Sequence, residues 1–376
     1  MRLGIVSTFP PYRGGIAQFN AAMCKALEAK GHQVKCVTWA RQYPKFLFPG
    51  KTQWEPGKDL GDATMPAVLD SVRPFTWKET GRYFSGVELL ILPFWHAALA
   101  PALAGVARSA KSNHGPRIWA LMHNASSHDG SPIHRFLSQS FLRQVDHVVT
   151  LSEPVSAALH TWNPSTLFHP LYDHFGPAPS VSESRRQLGL TESDTVHLFF
   201  GLIRPYKGLD VLIRALALLP TEHKLVIAGE CYGTWDVYAD LIEQLGLKDR
   251  VELHIEFIED KLVPLYFKAA NHVVLPYKEA SQSGVTALAL HHEVKVVASD
   301  VGDLRKTVVP ELTGRLVQPN SPEDLALAMS QPWTAQHADV QGAFAKVKAR
   351  LSWSAWADQL MQLVEPARAE APHEGE

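Results

Sequence analysis

Two cationic side chains, Arg204 and Lys207, stand three residues apart in LIRPYKG, between an apolar run and the start of a helical pattern. A guanidinium and an ammonium converging on one point suit a diphosphate, because they neutralise the charge that builds up as a phosphate departs. The plainer reading is two solvated loop charges. A second stretch bears on the choice, VVLPYKEASQSGVTALALHHEVKVVASD from Val273 to Asp300. Its β-type run Val273 to Leu275 ends at Pro276, and a polar segment closes on Ser283-Gly284. The small-residue helix Val285 to His292 and the strand Val294 to Ala298 follow. Strand, glycine loop, helix, strand is a βαβ unit. The glycine lets backbone approach a ligand, and the unpaired N–H groups of the helix start, with the helix dipole, suit a phosphate. An ordinary βα turn has the same pattern. The cationic pair beside it favours the phosphate reading.

A third candidate is His123, delivered with Asn124 by the apolar run Arg117 to Met122. It reads either as a strand-capping histidine bonded to backbone or as a polar contact to the reacting group of a substrate, facing a cleft between domains. His96, His128, His134 and Glu153 are weaker candidates in a chain of 18 histidines. No His/Asp/Glu cluster has metal-ligand spacing and no Asp-x-Asp occurs, so no essential metal is expected. Walker A, G-x-S-x-G and kinase motifs are absent.

These residues need elements to position them. At 376 residues the chain is long for one core, and two domains are expected. A formal net charge of -2 offers no electrostatic case for nucleic acid. Three scattered cysteines suit a reducing compartment, without a disulfide framework or zinc site. MRLGIVSTF reads as a strand and not a signal peptide, and no apolar run approaches the roughly 20 residues of a membrane span. The expectation is a soluble, cytoplasmic protein, with contact to a membrane surface left open.

Strands are expected at Arg2 to Thr8, His32 to Trp39, Thr64 to Leu69, Val87 to Leu92, Arg117 to Met122 and Val148 to Leu151. In the second half they fall at Val196 to Gly201, Lys224 to Ala228, Val251 to Ile255, Val273 to Leu275, Val294 to Ala298 and Arg315 to Val317. Helical patterns between them give two doubly wound α/β domains in tandem. The Pro- and Ser-rich stretch around Phe168 to Ser184 marks a break. Boundaries are set at 1–172 for an N-terminal domain, 173–184 for a linker and 185–350 for a C-terminal domain. A crossover helix at 351–366 and a disordered tail at 367–376 complete the chain. In the late helix Trp353, Trp356, Leu360 and Leu363 share a face, expected to dock across both domains. Tyr43 to Trp54, apolar, aromatic and broken by prolines, is either a loop folded back on its own domain or an acceptor- or membrane-touching loop.

The march FFGLIRPYKGLDVLIRAL, KLVIAGE, RVELHIEF, the βαβ unit, ASDVGDL and TGRLVQPNSPEDLA resembles the donor domain of retaining GT-B glycosyltransferases. The branch is the large bacterial mannosyl- and glucosyltransferase family, glycosyl transferases group 1. Nearly all of 195 to 330 is covered. STFPPYRGGIAQF, LMHNASSH and VVTLSEPV resemble that family's first domain more weakly. The resemblance implies two Rossmann-like domains facing across a cleft, with a C-terminal helix crossing back. It implies transfer of a sugar, with retention, from a UDP- or GDP-linked donor to a saccharide or lipid-linked saccharide, with no cofactor and no metal. Carried over residue by residue, Arg204 and Lys207 would bind the donor diphosphate and Gly284, Val285 and Thr286 would offer it backbone N–H groups, with Glu279, Gln282 and Ser283 in the same donor-binding set. Gly15 would contact the diphosphate and His123 the transferred sugar.

One departure stands out. The family's two glutamates flank this glycine, and aligning on Gly284 puts Ser281 and Ala289 in their places. Glu279 or Gln282 would then have shifted role. The alternatives are a sugar-nucleotide-binding protein without catalysis, or a GT-B epimerase or phosphorylase.

Overall fold

The computed structural model describes residues 1–43, 53–55, 57–111, 115–125, 132–172, 175–280 and 283–365. The chain forms two compact units, one of Met1–Phe168 with the segment from Trp353 onward, the other of His169–Ser352.

The sheet of the first unit contains β1 (Arg2–Val6), β2 (Gln33–Arg41), β3 (Ala67–Asp70), β4 (Leu89–Phe94), β5 (Arg117–Met122), β6 (His147–Thr150) and β7 (Ser165–Thr166). Their order is β3-β2-β1-β4-β5-β6-β7, with every pair parallel. Such strands are covered on both faces and read as continuous apolar runs, and all six residues of β4 are buried. Alternate side chains feed two cores. Leu90 and Leu92 pack on one face with Ile118 and the helix Ala100–Ala110. Leu89 and Ile91 pack on the other with Trp119, the helix Gly15–Ala29 and the helix Trp353–Val364.

The sheet of the second unit contains β8 (Thr195–Phe200), β9 (His223–Ala228), β10 (Val251–His254), β11 (His272–Leu275), β12 (Lys295–Ser299) and β13 (Gly314–Val317). Their order is β10-β9-β8-β11-β12-β13, again all parallel. Each sheet is doubly wound, and each reverses direction of growth once, between β1 and β4 and between β8 and β11.

The stretch assigned to a linker behaves differently. The division falls between Phe168 and His169, and Val181–Gln187 is a helix of the second unit. The Ser180 hydroxyl accepts the Glu183 N–H. Arg185 is 6% exposed and its guanidinium donates to the carbonyls of Ala269, Thr191 and Glu192 and to Asn271 Oδ1, at 2.8–3.2 Å. A buried cation that makes four hydrogen bonds holds this helix, where periodicity looks for an apolar stripe.

The late aromatic helix packs on the core of the first unit. Trp353, Trp356, Leu360 and Val364 are buried, and Leu363 only partly. Phe19 meets both indoles edge-on, at 4.9 and 5.8 Å between centroids. The described ends of the Tyr43 to Trp54 loop fold back on their own unit. Trp95 Nε1 donates to Tyr43 Oη at 3.0 Å, and the Trp54 ring lies 4.2 Å from that of Tyr12. Residues 44–52, like the tail 367–376, lie outside the described residues.

A row of three buried histidines crosses the second sheet near the starts of its strands. Trp333 Nε1 can only donate, and it lies 2.7 Å from His272 Nε2. His272 therefore carries its proton on Nδ1 and donates to His197 Nδ1 at 3.3 Å. His197 in turn donates from Nε2 to His223 Nδ1 at 2.9 Å. The chain is complete only with all three rings neutral. Burial, then the charges of Lys295 and Arg315, pushes His272 down to about 4. Burial, His272, His223 and Arg250 hold His197 well below the ordinary value. His223 is also lowered, by burial and Arg250 against the opposing pull of Glu222.

Two outcomes follow from this packing. Trp356, fully buried, has no acceptor for its indole N–H among the described residues. Trp356→Ala is expected to cost about 3–5 kcal/mol in urea unfolding, and Trp356→Phe clearly less, since it removes an unpaired donor. For the histidine row the unfolded chain binds more protons than the fold below the ordinary pKa of 6.5. Its contribution is present above that pH and lost on descent toward about 4. The melting temperature should fall across this window and fall less in His272→Gln; identical profiles for the two proteins would contradict the assignment.

Candidate functional site

In an open α/β sheet the loops leaving the carboxyl ends of two strands diverge where the order reverses, and ligands bind in that crevice. In the second sheet that point lies between β8 and β11. The loop after β8 runs from Gly201 to Gly208 and is tied on both sides. Toward β9, Ile203 N–H donates to Glu230 O at 2.9 Å and Tyr232 N–H to Ile203 O at 3.0 Å. Toward β11, Lys278 N–H donates to Tyr206 O at 2.8 Å, and Lys278 Nζ meets the Asp210 carboxylate at 2.8 Å. Gly208 has a left-handed φ of 68°, and a Cβ there would lie 1.9 Å from Pro276 O. Only glycine lets these two loops close together.

Lys207 ends the short turn Pro205–Lys207 and is 9% exposed. Its Nζ lies 5.6 Å from the centroid of the Tyr277 ring. Nζ and Val285 Cγ2 stand 3.5 and 3.4 Å from a single point, where a Cβ on Gly201 would sit. The ammonium is thereby brought to the start of the helix Gly284–His291. The Arg204 guanidinium carbon lies 5.2 Å from the centroid of Tyr232. Among the described residues neither cation has an acidic partner. Burial, with the charge of Arg204 adding to it, pushes the Lys207 ammonium down to about 8.

Ser283 caps the helix Gly284–His291, its hydroxyl accepting the Thr286 N–H at 3.4 Å and bonding Tyr277 Oη at 3.2 Å. The Thr286 N–H is thus engaged within the protein. The N–H groups of Gly284 and Val285 have no acceptor among the described residues. The Tyr172 ring lies 3.3 Å from where a Gly284 Cβ would stand, which favours glycine there. The second unit therefore brings together Arg204, Lys207, Ser283, Gly284, Val285 and Thr286. Glu279 is exposed on the same loop. Gln282 and Ser281 lie outside the described residues. Ala289 is fully buried.

In the first unit, Gly15 begins the helix Gly15–Ala29 after Gly14, whose φ is 104°. Asn20 holds the loop after β1 against this helix by donating to Ser7 Oγ at 2.8 Å and Thr8 O at 3.0 Å. His123 follows β5, is 4% exposed, and its N–H donates to Phe94 O at 2.9 Å. Its ring stands edge-on to Phe19 at 4.8 Å, so the helix Trp353–Val364 supports it through Phe19. His96 accepts the Ala98 N–H on Nδ1 at 3.1 Å, a local capping role. His134 lies on the helix Pro132–Leu142, Glu153 opens the helix Glu153–Ala158, and His128 is outside the described residues.

This geometry coincides with a family match. Residues 180–336 fit the model of the glycosyl transferases group 1, the segment that holds both cations and the amide-lined turn. The chain is 29% identical over 289 residues to a D-inositol 3-phosphate glycosyltransferase of Mycolicibacterium gilvum, covering 73% of this chain and 65% of that protein. A Mycobacteroides abscessus protein of the same description is 32% identical over 192 residues, 50% of this chain and 43% of that one. The chain thus spans less than two thirds of the length of these relatives. Among solved structures, sucrose-phosphate synthase from Thermosynechococcus elongatus superposes with a TM-score of 0.70 at 22% identity, covering 98% of this chain and all of that one. Anabaena HepE in complex with UDP gives 0.73 at 18% identity, covering 97% and 100%. The fold is GT-B.

The aromatic frame of this site, Tyr232, Tyr277 and Tyr172, is not legible in the sequence. A tyrosine in a polar loop carries no anion signal; its place close after a strand end was the one available hint. Among the described residues no group of three or more His, Cys, Asp or Glu could hold a metal ion, and no helix is long and apolar enough to cross a membrane.

An anion at this turn needs Lys207 charged, and in the free protein half its protons are gone at about pH 8. Affinity for a nucleoside diphosphate should hold to about pH 7.5 and then decline. Near pH 8.5 binding should take up a fraction of a proton, seen as a dependence of calorimetric heat on buffer ionisation enthalpy. Lys207→Met should abolish that dependence; its persistence would place the titrating group elsewhere.

Proposed function

We propose that this chain is a retaining glycosyltransferase. It moves a sugar from a nucleoside diphosphate donor, UDP- or GDP-linked, to a hydroxyl of a saccharide or lipid-linked saccharide. The observation that carries this is a buried Lys207 and a neighbouring Arg204, both without acidic partners among the described residues, beside the unpaired N–H groups of Gly284 and Val285. A diphosphate supplies the missing negative charge. As the bond from anomeric carbon to phosphate oxygen breaks, charge grows on that oxygen, and this cradle stabilises it without reorganising. No strong general base is required if the departing phosphate itself accepts the proton of the acceptor hydroxyl, and delivery from the face being vacated preserves configuration. Gly15 and His123 of the first unit belong to the same proposal, Gly15 toward the diphosphate and His123 toward the transferred sugar. Relatives described as D-inositol 3-phosphate glycosyltransferases, and HepE structures with UDP and UDP-glucose, support the reading by likeness.

The reaction fits a cytoplasmic setting, in keeping with the three free cysteines, and polysaccharide or glycoconjugate synthesis. A lipid-linked acceptor would bring the protein to the inner face of a membrane. A second reading, a sugar-nucleotide binder without turnover, draws on Ala289, which offers no carboxylate at the place of the family's second glutamate.

Incubation with UDP-, GDP- and ADP-sugars, following release of the nucleotide, separates the two. One donor should be hydrolysed slowly without acceptor, and Arg204→Ala with Lys207→Ala should lower kcat/KM by about 10³-fold or more. Tight binding with no release in any mixture would favour the binder. Unchanged turnover in the double variant would remove the cations from the mechanism.

A further inference from the structure

A lysine and an arginine side by side repel each other, and the usual remedy is a carboxylate between them. A carboxylate would also occupy the N–H donors that an incoming diphosphate needs. The described residues place none there. Each cation instead faces a tyrosine ring, Lys207 over Tyr277 at 5.6 Å and Arg204 over Tyr232 at 5.2 Å. The negative face of an aromatic ring attracts a cation within about 6 Å. It takes no directional hydrogen bond in the plane of a guanidinium, so the donors stay available.

Both tyrosines are tied to the loops that carry the site. The half-buried Tyr232 is held by its backbone N–H, which donates to Ile203 O at 3.0 Å, one residue before Arg204. Tyr277 is 2% exposed, bonds Ser283 Oγ at 3.2 Å, and lies edge-on to Tyr206 at 6.4 Å. Through Ser283 it joins the ammonium to the cap of the helix whose N–H groups line the turn.

We propose that Tyr277 and Tyr232 are positioning residues for the sugar transfer, their ring faces standing in for carboxylate counter-ions so that Lys207 and Arg204 keep every donor for the diphosphate. This rests on the glycosyltransferase reading above, and the experiment separates the two. Binding of UDP, GDP and ADP, and of the matching nucleoside monophosphates, is measured by calorimetry on the full chain and on Tyr232→Leu, Tyr232→Phe, Tyr277→Leu and Tyr277→Phe.

For whichever diphosphate binds best, Tyr232→Leu should lose about 3-fold and Tyr277→Leu about 10- to 30-fold, in line with exposed and desolvated cation–π pairs. The monophosphate should lose less than the diphosphate, a difference that general loosening of the fold would not produce. Phenylalanine at either position should recover most of the loss. In Tyr277→Leu the decline of affinity at alkaline pH should begin at lower pH than in the wild type, and in Tyr277→Phe it should stay in place. Should Tyr277→Leu fail to fold, the Tyr232 pair carries the test alone. Leucine variants that bind diphosphate like the wild type overturn the proposal, as do phenylalanine variants that lose as much as leucine. A wild-type chain that binds none of the three diphosphates overturns the site reading itself, and this inference with it.

Discussion

The approach of Gly208 to the Pro276 carbonyl is the constraint on which the site depends. It closes the loop after β8 onto the loop after β11 at the point where the second sheet reverses. A side chain at Gly208 would overlap that carbonyl at 1.9 Å, so the contact exists only because this residue is glycine in a left-handed conformation. With the loops closed, Lys278 bonds Tyr206 and Asp210, and the buried Lys207 brings its Nζ, with Val285 Cγ2, to within 3.5 Å of the same point at Gly201. The same loop is held on its other side through Ile203, which fixes Tyr232 under Arg204.

The electrostatic character of the site follows from that closure. Two like charges are concentrated in a partly desolvated turn, and burial with the charge of Arg204 pushes the Lys207 ammonium down to about 8. The protein tolerates this because aromatic faces and helix N–H groups without acceptors among the described residues complete the surroundings, leaving a deficit of negative charge that a ligand can supply. An arrangement balanced by carboxylates would fold more easily and bind less. Elsewhere the same unit shows the opposite solution. Arg185 and Arg315 are also buried, Arg185 among backbone carbonyls and the Asn271 amide oxygen, Arg315 among backbone carbonyls and the Glu311 carboxylate. Buried arginines engaged by acceptors of the protein are structural, and the cations that lack such acceptors mark the site.

In the first unit a chain of aromatic contacts plays the supporting role. His123 rests on Phe19, and Phe19 rests on Trp353 and Trp356 of the returning helix. The late segment of the chain therefore bears on the placement of a residue more than two hundred positions earlier.

Strand positions could be read directly, because strands of a parallel sheet are buried on both faces and appear as short apolar runs bounded by polar or glycine-rich turns. Twelve strands are legible this way, and their cores coincide with twelve of the thirteen strands among the described residues; the two-residue β7 has too few residues to leave a pattern. Arg204, Lys207 and the Ser283-Gly284 turn were equally legible, because cations, glycine and a helix start have types and spacings that state their chemistry. The helix Val181–Gln187 was hidden, since a single buried arginine holds it and a lone arginine reads as surface. The tyrosines behind the cations and the histidine row are hidden for a related reason. Each is defined by partners 26 to 75 residues away, and distances of that kind exist only once parallel strands have set their register. Local composition decides which residues can do chemistry; the order of strands in the sheet decides which of them meet.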